Sequence, residues 1–224
     1  MANNMRVAIE IGTKGKKVVA VVPDWPGLER GAKNEEAAIE KLLLYVPRYA
    51  AVAQLAGLEK TFATNPVFDV VERYPGTGST EFWGISFAFS SFDHQPMSDK
   101  ELERELKLMR ACWKFFDEVR DRVSAELKRG PRGGGRDRDH IVRHVVFNEQ
   151  DWAKGLGLGT PDETILTDEG IFAHREAYCD AIRTFHSQGK MASKWPLRYL
   201  IRHTAYHNLD HAWEMEDKDL TATA

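Results

Sequence analysis

The stretch SDKELERELKLMRACWKFFDEVRDRVSAEL, Ser98 to Leu127, divides the sequence into two kinds of chain. Its apolar residues Leu102, Leu106, Met109, Trp113, Phe116, Val119, Val123 and Leu127 recur in steps of three and four, which predicts one long core-facing helix. Ser98 and Glu101 have capping-box spacing at its start, where the hydroxyl meets a free backbone N–H and the carboxylate reaches back to the cap. The pattern ends at RGPRGGGRDR, a flexible linker by composition. Three further helical patterns follow. One begins near Asp139 and carries HIVRHVVFNEQDWAKGL; one runs from about Asp168 to Ser187 with Ile171, Tyr178, Ile182 and Phe185 on one side. The last begins near Trp195 with Pro196 in its first turn, where a missing N–H costs little. Four amphipathic helices in succession favour a four-helix bundle over residues 98–224. The glycines of GLGLGTPDE follow a helix and not a strand, so they make a poor dinucleotide loop.

Ahead of Gln95-Pro96-Met97 the signals are those of strands around one helix. Arg6 to Ile11 (RVAIEI) alternates, Lys17 to Val22 (KVVAVV) is rich in β-branched residues, and Gly12, Lys14 and Gly15 between them predict a hairpin turn. PDWPGLERG, Pro23 to Gly31, reads as a tight turn that stops the second strand. Asn34 caps a helix from Glu35 to about Leu55, with Pro47 predicting a kink or break within it. FDVVERY (Phe68 to Tyr74) and FWGISFAF (Phe82 to Phe89), separated by PGTGST, read as a second hairpin. The expectation for residues 1–97 is an α+β domain of β-β-α-β-β order, its helix packed on an antiparallel sheet.

Of 224 residues 42% are hydrophobic and 29% charged, the balance of a globular chain with a real core. The net charge is −3; up to Met97 there are 10 Lys and Arg against 11 Asp and Glu, and beyond it 21 against 23. Neither part has the positive excess that phosphate-backbone binding needs, so no nucleic-acid partner is expected. MANNMRVAIEIG lacks the apolar core of a signal peptide and no apolar run approaches the ~20 residues of a membrane span, which predicts a cytoplasmic protein without a membrane partner. Cys112 and Cys179 fall within helical patterns and read as core residues rather than a disulfide framework.

Five of the eight histidines sit on two of the predicted helices: His140 and His144 on the second, and His203, His207 and His211 on the fourth. Residues four apart on a helix have Cβ atoms roughly 5–6 Å from each other, close enough for two imidazoles to reach one ion. His203 and His211, eight apart, are separated by about 12 Å along the axis and roughly 80° around it. The fourth helix therefore supplies a pair, and His144 or His140 a third ligand. Three imidazoles leave one coordination position for water or substrate, as in catalytic zinc sites. The plain alternative is a polar stripe satisfied by water and neighbouring carboxylates.

The segments HVVFNEQDW (His144 to Trp152) and HTAYHNLDH (His203 to His211) make the last ~125 residues resemble the DinB-like (YfiT-like) superfamily of four-helix bundles. That resemblance implies a divalent metal, zinc or nickel, held by His144, His207 and His211, with His203 lining the cavity or supporting a ligand. Where many members continue with Arg-Gly-Gln after the last histidine, this chain has Ala212-Trp213-Glu214, which withholds any transfer of substrate. The segment KKVVAVVPDWPGLERGAKNEEAAIEKLLLYV is similar to the HicB-like fold, which implies a module that masks a protein partner in toxin–antitoxin systems or, here, a domain that packs beside the bundle.

Two functions are expected on these grounds. The first is a metal-dependent enzyme of the thiol-transferase or isomerase type, using a low-molecular-weight thiol as cosubstrate on a small-molecule substrate, with a water-using hydrolase as a variant. Glu149, Asp210 and Glu214 are its candidate acid–base or ligand-supporting groups, against the plainer reading of solvated helix carboxylates. The second is a non-catalytic, metal-stabilised binding module with a HicB-like protein-interaction domain. The resemblance also implies a homodimer.

Overall fold

A computed structural model describes residues 4–130 and 137–221; the first three residues, the centre of the RGPRGGGRDR linker and the last three residues lie outside the described residues. By residue contacts the chain divides into two compact units, residues 1–112 with 201–206, and residues 113–200 with 207–224. The change of character at Gln95–Met97 lies inside the first. The architecture is a four-stranded sheet followed mainly by helices.

In the first unit the strands are β1 (Asn4–Ile11), β2 (Val18–Val21), β3 (Glu29–Ala32) and β4 (Val67–Pro75), in sheet order β3-β2-β1-β4. The β1–β2 hairpin is as expected, with Ala8 opposite Val21 and Ile11 opposite Val18. The expected antiparallel sheet is corrected to a mixed one, because β4 pairs with β1 in parallel, Asn4 opposite Val67 through Ile11 opposite Pro75. A parallel neighbour needs a crossover, and α1 (Glu35–Leu55) provides it by packing over β2 and β3.

The β-β-α-β-β order is corrected at two places. Pro23 to Leu28 do form the expected turn, closed by Val22 N–H to the Leu28 carbonyl at 3.0 Å with Gly27 at φ 90°. The residues directly after it, however, return as β3 against β2. FWGISFAF is no strand: Gly78–Trp83 is a short helix, α2, ended by Gly84 at φ 69°. The backbone N–H groups of Phe87 and Ala88 go instead to the buried Glu10 carboxyl group on β1, at 3.0 and 3.1 Å. A segment whose amides are claimed by a side chain cannot offer them to a sheet.

The expected cap of α1 is present, Asn34 Oδ1 accepting from Ala37 N–H at 2.9 Å. Pro47 does not break it; the helix continues to Leu55, and its Tyr49, fully buried, donates its hydroxyl to the Pro26 carbonyl at 2.8 Å. Trp25, Tyr49 and Phe62 close this end of the core with ring centroids 4.8–6.0 Å apart.

The long helix α3 (Asp99–Arg122) begins with the expected capping box, Ser98 N–H to Glu101 Oε2 at 2.7 Å and Glu101 N–H to Ser98 Oγ at 3.3 Å. It stops five residues before Leu127, which forms an isolated bridge with Asp219. In the second unit lie the end of α3, α4 (Arg138–Ala153), α5 (Asp162–Ile165), α6 (Asp168–Ser187) and the end of α7 (Leu197–Lys218). Phe116, Val119, Ile141, Val145, Tyr178 and Leu209 are among its buried apolar residues. Pro196 stands just ahead of α7 as its cap rather than inside the first turn. No described helix is long and apolar enough to cross a membrane.

Candidate metal centre

α4 and α7 each present part of an imidazole cluster. Asp137 caps α4 through His140 N–H at 2.6 Å, and the helix places His144 two turns in, between the buried Ile141 and Val145. On α7, the fully buried Leu209 and Ala212 fix which face is core, and His207 and His211 stand half-buried beside it. One donor nitrogen from each of His144, His207 and His211 lies within 4.8 Å of the others. The ring centroids are 4.7–5.0 Å apart and the His207 and His211 planes are nearly perpendicular, at 85°.

Which nitrogens converge follows from their other contacts. His144 Nε2 and His207 Nε2 face each other at 3.2 Å. His144 turns Nδ1 towards Asn148, one turn on, whose amide donates to the His144 carbonyl at 2.7 Å. His211 Nδ1 bonds Glu214 Oε2 at 2.8 Å, which directs Nε2 away from the carboxylate. For metal–nitrogen bonds of about 2.0–2.1 Å meeting at a tetrahedral angle, two donor nitrogens stand about 3.3 Å apart. The His144–His207 spacing meets that requirement, and an all-imidazole donor set suits zinc, nickel and similar borderline cations.

Glu214 also accepts an ion pair from Lys218. The bond from His211, with the help of Lys218 and against the cost of partial burial, holds its carboxyl down at about 2. A carboxylate so placed orients the ring, as carboxylates commonly do for metal-bound histidines. Trp152, at the end of α4, sets its ring edge-on to His207 at 5.1 Å between centroids.

The other expected residues are not part of the triad. His140 is exposed at the start of α4. His203 belongs to the first unit, buried beside Phe87 at 5.6 Å; burial and then the neighbouring Arg202 push its pKa down to about 3, so it stays neutral. Asp210 is half-buried on α7. Glu149 is corrected: it is not a solvated helix carboxylate. It is fully buried and takes both arms of the Arg175 fork at 2.9 Å, while Arg175 also bonds Asp117 at 2.8 Å.

Asn148 and Lys218 were not among the expected residues, although each stands four positions from its partner, the spacing that joins side chains on a helix. No family model, curated protein or solved structure matches the chain.

Proposed function

We propose that this chain is a divalent-metal-binding protein of the DinB-like (YfiT-like) kind, in which His144, His207 and His211 hold zinc or nickel. Its helical part would accordingly be a four-helix bundle, and residues 1–97 a HicB-like domain. The observation that carries the reading is the convergence of three imidazoles from two helices, with two Nε2 atoms 3.2 Å apart. As the rings stand, one N–H can lie between His144 and His207; a dipositive ion would displace it and take a lone pair from each of the three imidazoles.

The activity proposed is that of a metal-dependent thiol transferase or isomerase. A cation held by His144, His207 and His211 would supply Lewis-acid chemistry that favours the thiolate form of a low-molecular-weight thiol. The chain's own residues then have distinct tasks. Glu214 keeps Nδ1 of His211 protonated and so presents Nε2; Asn148 anchors the backbone at His144; Trp152 bars water from one side of His207.

Elemental analysis of the purified full-length protein tests the first half, with about one zinc or nickel per chain expected, and none in His207→Ala or His211→Ala. Metal retained by both variants sinks the assignment. Incubation with thiols (bacillithiol, mycothiol, glutathione) and a panel of electrophiles tests the second half. Bound metal with no turnover by any pair transfers the reading to the metal-stabilised binding module.

A further inference from the structure

Beside the imidazoles lies a cleft of about 420 Å³, lined by Trp152 and Lys154 from the end of α4 and by Ser193, Lys194 and Trp195 from the turn before α7. That volume falls in the range of small-molecule sites. We propose that this cleft selects the substrate of the metal centre, and that the substrate is a small molecule with a flat conjugated body and an anionic end. The inference rests on the metal reading for the word substrate, and on the cleft alone for the ligand's chemistry.

Four observations carry it. Trp152 is a wall shared by the cleft and the cluster, because the same ring that lines the cleft stands against His207. Trp195 faces Trp152 at 6.1 Å between centroids, so two indoles border one opening; both are only half-buried and present π surface to what enters.

The third concerns charge. Lys154 is held by Asp151 at 3.0 Å, whereas Lys194 is exposed and joins no ion pair among the described residues. The rim thus carries one uncompensated cation, which favours an anionic end. The fourth is backbone strain. Ala192 and Trp195 exchange both backbone hydrogen bonds, at 3.0 and 2.9 Å, and close a two-residue turn of Ser193 and Lys194. Ser193 adopts φ 55°, and it is the one residue other than glycine with positive φ among those described. A serine in that region is strained, and strain of this kind gathers where a ligand is clamped. Here it fixes Trp195 and Lys194 on the same lip.

The test titrates the full-length metal-loaded protein with 2-naphthoate and with its uncharged analogue 2-naphthamide, following tryptophan fluorescence. Wild type should bind the naphthoate more tightly, and Lys194→Glu should cut that preference by about five- to tenfold, as expected for reversal of a rim charge. A carboxylate binding directly to metal contributes equally to both proteins and cancels in the comparison. Trp195→Ala should weaken both probes. Lys194 sits on an exposed turn, so its variant folds as wild type does. No binding of either probe, or a preference unchanged in Lys194→Glu, overturns the proposal. Failure of the metal reading appears separately, as protein without zinc or nickel whose naphthoate preference still depends on Lys194.

Discussion

Arg202 and His207 stand five residues apart on α7, and each joins a polar cluster of opposite design. Arg202 is fully buried in the first unit and gives two bonds to Asp93 at 2.7 and 2.8 Å, one to Glu29 at 3.2 Å, one to Ser86 at 3.0 Å and one to the Ala88 carbonyl at 3.1 Å. Ser86 in turn donates to Glu10, which also accepts from Thr80, Tyr74 and two backbone amides. Charges of both signs meet there, and Arg202 joins acids, a hydroxyl and a carbonyl, although Glu29 Oε1 lacks a hydrogen-bond partner among the described residues. In the second unit three imidazoles from two helices converge, one donor nitrogen of each within 4.8 Å of the others. A cluster that joins acids to a base holds a fold together; one built of imidazoles suits an ion from outside, the reading proposed for it above. Arg175, bonded to Glu149 and Asp117, shows that the second unit also builds closed ion clusters where stability is all that is needed.

The contrast can be broken by substitution. Arg202→Ala should cost about 3–5 kcal/mol, because it leaves the buried Asp93 and Glu29 without their counter-ion. Urea unfolding followed by circular dichroism measures this, and a loss below about 1 kcal/mol would show that the cluster is not the tie described.

The imidazole cluster should respond to metal instead. Zinc at about a hundredfold over its Kd adds about 2.7 kcal/mol of apparent stability, a rise in Tm of about 5–10 °C for a chain of this size. His207→Ala should show no rise with zinc, while its metal-free Tm stays near that of metal-free wild type. An equal rise in both proteins places the zinc elsewhere.

A smaller effect is expected from Glu214→Gln, which keeps the shape beside His211 and removes the charge. Loss of such a supporting carboxylate typically lowers metal affinity about 10- to 100-fold. Competition with a chromophoric chelator reads the change directly. Unaltered affinity would make Glu214 a partner of Lys218 alone.

Where the chain's reading needed only neighbours, the sequence was enough. Asn34, Ser98 with Glu101, and the four-residue step from His207 to His211 each act within one or two helical turns, and each stands in the structure where its spacing places it. What failed depended on distant partners. FWGISFAF has the composition of a strand, but Glu10, more than seventy residues earlier, takes its amides. Glu149 looks like a surface acid until Arg175, 26 residues on, closes over it. The short strand β3 hid behind the proline and glycine signals of the turn that leads into it, and the parallel pairing of β4 depends on where α1 carries the chain. Trp195 gave no sign of its place beside Trp152, since the two are far apart in the sequence and meet only in the fold.

The least of these effects separates the two roles of carboxyl groups around Arg202. Asp93 takes the fork of the guanidinium, and although burial works against its ionisation, the Arg202 charge and bonds with those of Ser90 hold its pKa below the usual value. Glu29 takes only one, longer bond from Arg202, so burial outweighs the lowering by Arg202, and the nearby Glu10 adds to the rise; its pKa is pushed up to about 7. A carboxyl raised in the folded state binds its proton more tightly there than in the unfolded chain. Its contribution is therefore fully present below the unfolded value of about 4.5 and is lost as pH rises through about 7. Glu29→Gln keeps the neutral form at every pH. The stability difference between wild type and this variant should shift against wild type by about 1–2 kcal/mol between pH 5 and pH 8. Urea titrations across that window check it. A difference that stays constant would mean that Glu29 is ionised throughout, and that Arg202 serves both acids alike.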